Sequence, residues 1–172
     1  GIPVYYVSSG PAVGYQQVKE QTQTIADAFS VDDASTALAE EMMESFDALE
    51  ARISETAPSL EGVTVMVLQS GSANMHMIQT RDGTLGAMAD MIGLTNVYEN
   101  SDSATVMLDM EQALDYNPDL VLSVGLNNSA DQQAMMEGVF ASNPAYWNAI
   151  PAIGNGDIIY LDSSFWTTSG YG

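Results

Sequence analysis

Short apolar strands alternate with helical segments along most of this chain. The runs 63–68 (VTVMVL), 119–125 (DLVLSVG) and 157–161 (DIIYL) are rich in β-branched residues, which is typical of strands buried on both faces. The segments 84–94 and 109–117 between them carry apolar residues at helical spacing. This alternation predicts an α/β domain with a mostly parallel sheet and helices on both faces.

A long helical pattern precedes the alternating part. Over residues 17–55 apolar side chains recur at helical spacing, and Asp32 or Asp33 can cap a second segment after an interruption near residues 30–34. Pro58 is predicted to end the pattern. Because helices of this length are unusual inside a globular domain, we expect a spine that joins two bodies.

The charge of the chain is strongly unbalanced. The 172 residues include 23 Asp and Glu but only 3 Lys and Arg, a formal net charge of −20 at pH 7. Such a field repels phosphate backbones and anionic lipid surfaces, so we expect no binding to nucleic acid. An acidic surface suits docking to a basic partner or simple solubility. No apolar run approaches the roughly 18 residues that a membrane span needs, so no span is expected in these residues.

Residues that commonly carry catalysis are scarce. The chain has no cysteine and one histidine, His76, which excludes thiol nucleophiles and cysteine-based metal sites within it. No nucleophile elbow, phosphate-binding loop or dinucleotide fingerprint is present. A serine–histidine pair would have to combine Ser70 or Ser72 with His76, and no local pattern supplies the acid that orients such a base. We therefore expect no enzyme activity, no intrinsic cofactor and no metal site.

Polar and aromatic residues follow the three predicted strands. In an open parallel sheet the loops at the carboxyl ends of the strands meet at one edge, and ligands bind there. The segments 70–82, 126–129 and 163–166 are therefore expected to converge. They offer amides, hydroxyls, aromatic faces, the single histidine and an arginine, which favours a binding surface over a catalytic centre. The alternative is that they are ordinary solvated loops.

The order of these segments resembles the C-terminal half of a known family. In sequence the chain carries the strand GIPVYYV, the helical spine, and the motifs LGAMADMIGLTNVYE, MEQALDYNPDLVLSVG and WNAIPAIGNGDIIYLD. This order is similar to that of the two-lobed substrate-binding proteins of ABC importers for iron–siderophores, haem and cobalamin, the helical-spine class of periplasmic binding proteins.

That resemblance divides the chain into three parts. It implies that residues 1–16 are the remnant of an N-terminal lobe, residues 17–59 an interlobe helical spine, and residues 60–172 a Rossmann-like C-terminal α/β lobe without its closing helix. Residues 2–7 are then expected to pair with another chain or to lie displaced from the sheet, because their strand would belong to the other lobe.

The resemblance also implies a function. It implies an extracytoplasmic protein, periplasmic or lipid-anchored at the cell surface, that delivers an iron–siderophore, haem or cobalamin-type chelate to an ABC importer permease. The chain would carry half of the ligand cleft, and the cargo stays open among these chelates. The implied ligand contacts are Ser72, Asn74, His76, Arg81, Asn127, Phe165 and Trp166.

Three of the implied roles are specific. Arg81 would suit a carboxylate, a haem propionate or a catecholate oxygen through paired hydrogen bonds. His76 would be a possible axial ligand if the cargo were haem. Glu111 matches a lobe-surface glutamate that docks onto arginines of the permease, although a glutamate in a first helical turn is also favoured by the helix dipole. An enzyme or sensor on a related α/β scaffold, and an acidic protein-interaction module, are the alternatives.

Overall fold

The computed structural model describes Val4, residues 15–99 and residues 103–164. It begins with two helices, α1 (Tyr15–Phe29) and α2 (Asp33–Leu60). The predicted interruption between them is confirmed, and Asp32 is the cap of α2, accepting a 2.8 Å hydrogen bond from the backbone N–H of Ser35. Except for Val4, residues 2–7 lie outside the described part, so the expectation for the first strand stays a prediction.

The two helices pack side by side in opposite directions. The ring of Tyr15 meets that of Phe46 edge-on at 5.8 Å, and the Lys19 ammonium is 2.9 Å from carboxylate oxygens of both Asp47 and Glu50. Phe29 and Leu38, on either side of the connecting turn, line one cavity, whereas Tyr15 meets Phe46 far from that turn, so the helices run antiparallel. Only α2 continues into the sheet. In the described part of the chain, no helix has the length and apolar character that crossing a membrane requires.

The prediction that Pro58 ends α2 is wrong. The helix continues to Leu60, with Pro58 inside its last turn. A proline removes one N–H donor, and the end of a helix tolerates this loss better than its middle does. Gly62 follows with a φ of 87°, a left-handed conformation that glycine adopts readily, and turns the chain into the sheet.

Strands and shorter helices then alternate. Within the described residues the strands are β1 (Thr64–Ser72), β2 (Met75–Gln79), β3 (Thr95–Asn96), β4 (Thr105–Met107), β5 (Leu120–Gly125) and β6 (Ile158–Tyr160). The helices among them are α3 (Thr84–Met91), α4 (Met110–Tyr116), α5 (Ser129–Ser142), α6 (Pro144–Trp147) and α7 (Pro151–Asn155).

The strands form one mixed sheet in the order β4-β2-β1-β5-β6, with β3 also paired to β1. β1 is parallel to β3 and β5, and β5 is parallel to β6. β2 is antiparallel to both of its neighbours, β1 and β4. The predicted α/β class is confirmed, as is the parallel pairing of the three apolar runs. The expectation of a plain loop over residues 70–82 is wrong, because β1 and β2 form a hairpin there.

Both faces of the sheet are covered by helices. Met66 and Leu68 of β1 join a core cluster that includes residues of α4 and α5. Val65 and Val67 point to the opposite face, into two clusters that include residues of α3. None of these four side chains has exposed surface. The double burial explains why β1 is a continuous apolar run in the sequence rather than an alternating one.

Buried polar groups fasten α3 to the hairpin. The Gln79 side-chain oxygen accepts a 2.9 Å hydrogen bond from the backbone N–H of Leu85, and the Asn96 amide donates to the Gln79 carbonyl at 3.0 Å. At Gly86 of α3, a Cβ atom would lie 1.9 Å from the carbonyl oxygen of Thr80. The close approach of helix and strand therefore requires glycine at this position.

Substituting alanine at two helical glycines is expected to have opposite effects. Gly86→Ala should lower the free energy of unfolding by about 1–3 kcal/mol, because the methyl group has to displace backbone. At Gly138 in α5 a Cβ would meet nothing within 4 Å, so Gly138→Ala should raise it by about 0.5–1 kcal/mol. Urea denaturation of the two variants measures both changes. A stable Gly86→Ala variant would contradict the packing described for α3.

Candidate functional site

Several strands end at the same edge of the sheet. The parallel strands β1 and β5 are paired as far as Ser70 and Gly125, and β6 runs in the same direction. β4 also ends there, since the Leu108 N–H just beyond it donates to the His76 carbonyl at 3.1 Å. We name this region the carboxyl edge.

The carboxyl edge comprises the hairpin end and the segments that follow the other strands. Its parts in the described chain are residues 70–76, 108–111, 126–129 and 161–164. The segments that directly follow β1, β5 and β6 therefore begin at one edge of the sheet, as expected, as far as the structure describes them, which is up to residue 164.

His76 is held in the hairpin through both of its ring nitrogens. It lies opposite Ser70, whose Oγ is 2.8 Å from His76 Nδ1. His76 Nε2 is 3.1 Å from the carbonyl oxygen of Ala73. Because a carbonyl only accepts, we assign the proton to Nε2, so that Nδ1 accepts from the Ser70 hydroxyl. The arrangement suits a neutral imidazole.

An aromatic contact joins His76 to the core. Its ring meets that of Trp147 at 5.3 Å and an interplanar angle of 87°, and Trp147 in turn contacts Phe140 at 5.2 Å. Burial lowers the pKa of His76 below its ordinary value of 6.5, while the hydrogen bond to the Ala73 carbonyl acts in the opposite direction. The histidine is therefore a neutral, oriented side chain at neutral pH.

Four of the predicted contacts lie at the carboxyl edge. Ser72 and Asn74 are exposed at the hairpin tip, and His76 is half-buried beside them. Asn127 is half-buried and stands two residues beyond Gly125, which pairs with Ser70 in the neighbouring strand. Amide and hydroxyl groups thus lie at the same edge of the sheet as a fixed imidazole, which is a suitable arrangement for orienting a ligand.

Arg81 does not join this group. It follows β2 at the end away from the hairpin tip, and its guanidinium pairs with Asp90 of α3 at 2.8 Å. Since β2 runs back along β1, Arg81 lies about 10 Å or more from His76 along the sheet. The expectation that the whole segment 70–82 lies at one edge of the sheet therefore does not hold.

Of the remaining predicted residues, Glu111 lies in the described part of the chain and the two aromatic residues do not. Glu111 is exposed in the first turn of α4, immediately beyond the end of β4 at the carboxyl edge, and its backbone N–H donates to the Asp109 carboxylate at 2.9 Å. Phe165 and Trp166 lie outside the described residues, so their role as ligand contacts stays a prediction.

Two aromatic residues near this edge, Trp147 and Tyr146, were not predicted from the sequence as part of the site. Trp147 supports His76, and Tyr146 packs against Trp147 at 5.5 Å while keeping 42% of its surface exposed. Burial raises the pKa of Tyr146, and the negative charge of Asp109 raises it further, which relates this ring to the start of α4. The only local signal was the pair of adjacent aromatic residues, because their partner His76 is far away in the sequence.

The floor beneath the carboxyl edge is tightly packed. A Cβ on Gly125 would lie 2.1 Å from the side-chain oxygen of Gln132 and 2.6 Å from the carbonyl oxygen of Ser70. Gln132 and Ser70 have no exposed surface. The Ser70 hydroxyl therefore orients His76 from below and is not accessible as a nucleophile.

A separate concave surface lies between the helices. A cavity of about 290 Å³ has an apolar lining that includes Tyr15, Phe46, Leu49 and Met88, from α1, α2 and α3. It lacks the convergent polar groups that orient a small ligand. Among the residues the structure describes, no group of three or more His, Asp or Glu side chains is arranged to hold a metal ion.

Comparison with known proteins identifies the family. A family model for periplasmic binding proteins matches residues 1–165. The chain belongs to the periplasmic binding protein family, and its resemblance to the helical-spine class is confirmed. Nothing among the curated proteins matches the chain.

Three solved structures show the likeness of fold. A possible iron-binding, periplasmic solute-binding protein from Staphylococcus epidermidis has a TM-score of 0.72 and 16% identity, covering 99% of this chain and 61% of that one. IsdE of S. aureus, in complex with haem, gives 0.66 and 17%, covering 91% and 65%. The periplasmic haem-binding protein HutB of Vibrio cholerae gives 0.69 and 19%, covering 90% and 58%. This chain thus spans less than two thirds of each of them, and at these identities the likeness concerns the fold.

The pKa of His76 is expected to lie below 6.5, because burial disfavours the imidazolium. The stability that the neutral ring contributes is then fully present above about pH 6.5 and is lost as the pH falls through the folded-state pKa. An NMR pH titration of the ring resonance that disappears in His76→Gln measures this pKa.

Two serine variants serve as a matched pair for that titration. Ser70→Ala removes the donor to Nδ1 and should raise the pKa of His76. Ser72→Ala, at the exposed hairpin tip, should leave it unchanged. A wild-type pKa at or above 6.5 would contradict the neutral, buried imidazole.

Proposed function

We propose that this chain is the C-terminal lobe and interlobe helices of an extracytoplasmic solute-binding protein. The whole protein delivers an iron–siderophore, haem or cobalamin-type chelate to the permease of an ABC importer. The observation that carries the proposal is the carboxyl edge, where the parallel strands β1 and β5 end and where Asn74, His76 and Asn127 lie in the hairpin and in the segment after β5. Membership of the periplasmic binding protein family supports it.

The carboxyl edge has the character of one wall of a cleft. It offers the exposed amide of Asn74, the half-buried amide of Asn127 and the half-exposed ring of Tyr146. A chelate needs apolar contact for affinity and a few fixed polar groups for orientation. The second wall would come from an N-terminal lobe, which fits a chain that spans less than two thirds of its structural neighbours.

Catalysis is the weaker candidate. The pair Ser70 and His76 has the spacing of a nucleophile and its base, at 2.8 Å. A nucleophile must reach its substrate, however, and Ser70 has no exposed surface. The His76 Nε2 atom faces a carbonyl oxygen rather than a carboxylate, so the orienting acid of a triad is also missing from this contact.

Ligand binding by the whole protein is the first test. The protein is titrated with a panel of ferric siderophores, haem and cobalamin, and tryptophan fluorescence and visible absorption are followed. Asn127→Ala is expected to weaken binding of the cargo by about 3–10-fold, which is the loss of one typical hydrogen bond. Asn155→Ala, at the opposite edge before β6, is the matched control. Equal affinities of both variants and the wild type would contradict the cleft.

Permease docking is tested separately. Glu111 is exposed at the carboxyl edge, so Glu111→Lys should lower uptake by the importer by about tenfold or more while ligand affinity is unchanged. Glu55→Lys changes the same charge on the exposed side of α2 and should leave uptake unaltered. Equal losses from the two substitutions would argue against a docking role for Glu111.

A further inference from the structure

We infer, on the basis of the proposed function, that the carboxyl edge selects a chelate that is neutral or cationic and whose metal is already fully coordinated. A neutral ferric trihydroxamate has these properties. Haem, with its propionates and open axial positions, and the trianionic ferric tricatecholates do not. The inference rests on where the cationic side chains lie, on the carboxylates of the edge and on the bonding of His76.

All three cationic side chains of the chain lie away from the carboxyl edge. Lys19 is held between two carboxylates of α2 within the helix pair. Arg81 pairs with Asp90 beyond the far end of β2. Arg52 lies on α2 and lines a cavity together with Leu60, the residue at which α2 ends just before the start of β1, so it lies toward the opposite end of that strand. Because the sequence has no other Lys or Arg, this wall offers an anionic ligand no cation.

Carboxylates instead accompany the strand ends. Each segment of the carboxyl edge that follows β4, β5 or β6 contains an exposed acid or ends two residues before one. These acids are Asp109, Glu111, Asp131 and Asp162. No cation of this wall would offset the repulsion between these acids and an anionic chelate, and like charges brought together at an interface oppose binding. A neutral or cationic chelate meets no such opposition.

The hydrogen bonds of His76 disfavour ligation of a metal ion by its ring. A histidine ligates iron through a ring nitrogen that has a free lone pair. In this structure Nδ1 is occupied by Ser70 at 2.8 Å, and Nε2 faces the Ala73 carbonyl at 3.1 Å. Ligation would break one of these bonds and shift a ring that is packed on Trp147. The site therefore suits a chelate that needs no axial ligand from this wall.

The neutral groups of the edge fit such a chelate. Asn74 and Asn127 can donate to the oxygens around a coordinated ferric ion. Met75 and Leu126, with 41% and 53% of their surfaces exposed, offer apolar contact beside them. Apolar area with a few neutral donors is the recognition that an uncharged metal complex allows.

Affinities of the whole protein for a neutral ferric trihydroxamate, a ferric tricatecholate and haem test the inference. We expect the trihydroxamate to bind at least about tenfold more tightly than either of the others. Haem that does bind should keep the same absorption spectrum in His76→Ala. Tighter binding of the tricatecholate, or a haem spectrum that changes in His76→Ala, would overturn the inference while leaving the proposed function intact.

A charge introduced at the edge isolates the contribution of this wall. Asn127→Arg should strengthen tricatecholate binding by about tenfold, because it supplies the missing cation. Asn155→Arg adds the same charge at the opposite edge and should change little. Equal effects of the two variants would overturn the inference. Failure of every chelate in the panel to bind would instead contradict the proposed function itself.

Discussion

Burial of β1 on both faces is the constraint on which the rest of the lobe depends. Residues 65–68 have no exposed surface, so helices must cover the sheet above and below them. α3 covers one face, and α4 with α5 covers the other. With the strand buried along its length, its side chains can meet a ligand only at its end. The position of the candidate site therefore follows from the packing of the core.

The candidate site is connected to that core through a short chain of contacts. Ser70, the last fully buried residue of β1, holds His76, and His76 packs on Trp147, which contacts Phe140 in the main cluster. A side chain fixed in this way keeps its orientation before a ligand arrives, which reduces the entropy lost on binding. The electrostatics of the site follow from position as well, since the few cations of the chain are paired or placed elsewhere.

Much of this arrangement could be predicted from the sequence, and the failures have physical causes. Doubly buried strands and capped helices leave strong local signals, as the apolar runs and Asp32 illustrate. β2 leaves a weak signal because one of its buried residues, Gln79, is polar, and its side chain is satisfied by Gln69 and Leu85 only once the hairpin has formed. Because the hairpin was not predicted, Arg81 was wrongly expected to lie beside His76. Trp147 was missed because contacts over such a separation arise only from the tertiary fold.

Hydrogen–deuterium exchange of the whole protein, with and without saturating chelate, tests most directly whether the carboxyl edge is a ligand-binding wall. Protection on ligand addition is expected in peptides covering residues 72–76 and 126–129. No change is expected at Arg81 to Asp90 or in α1 and α2, which lie away from the strand ends. Protection confined to the helix pair, with unchanged exchange at the hairpin tip, would contradict the proposed site and transfer the ligand to the cavity between the helices.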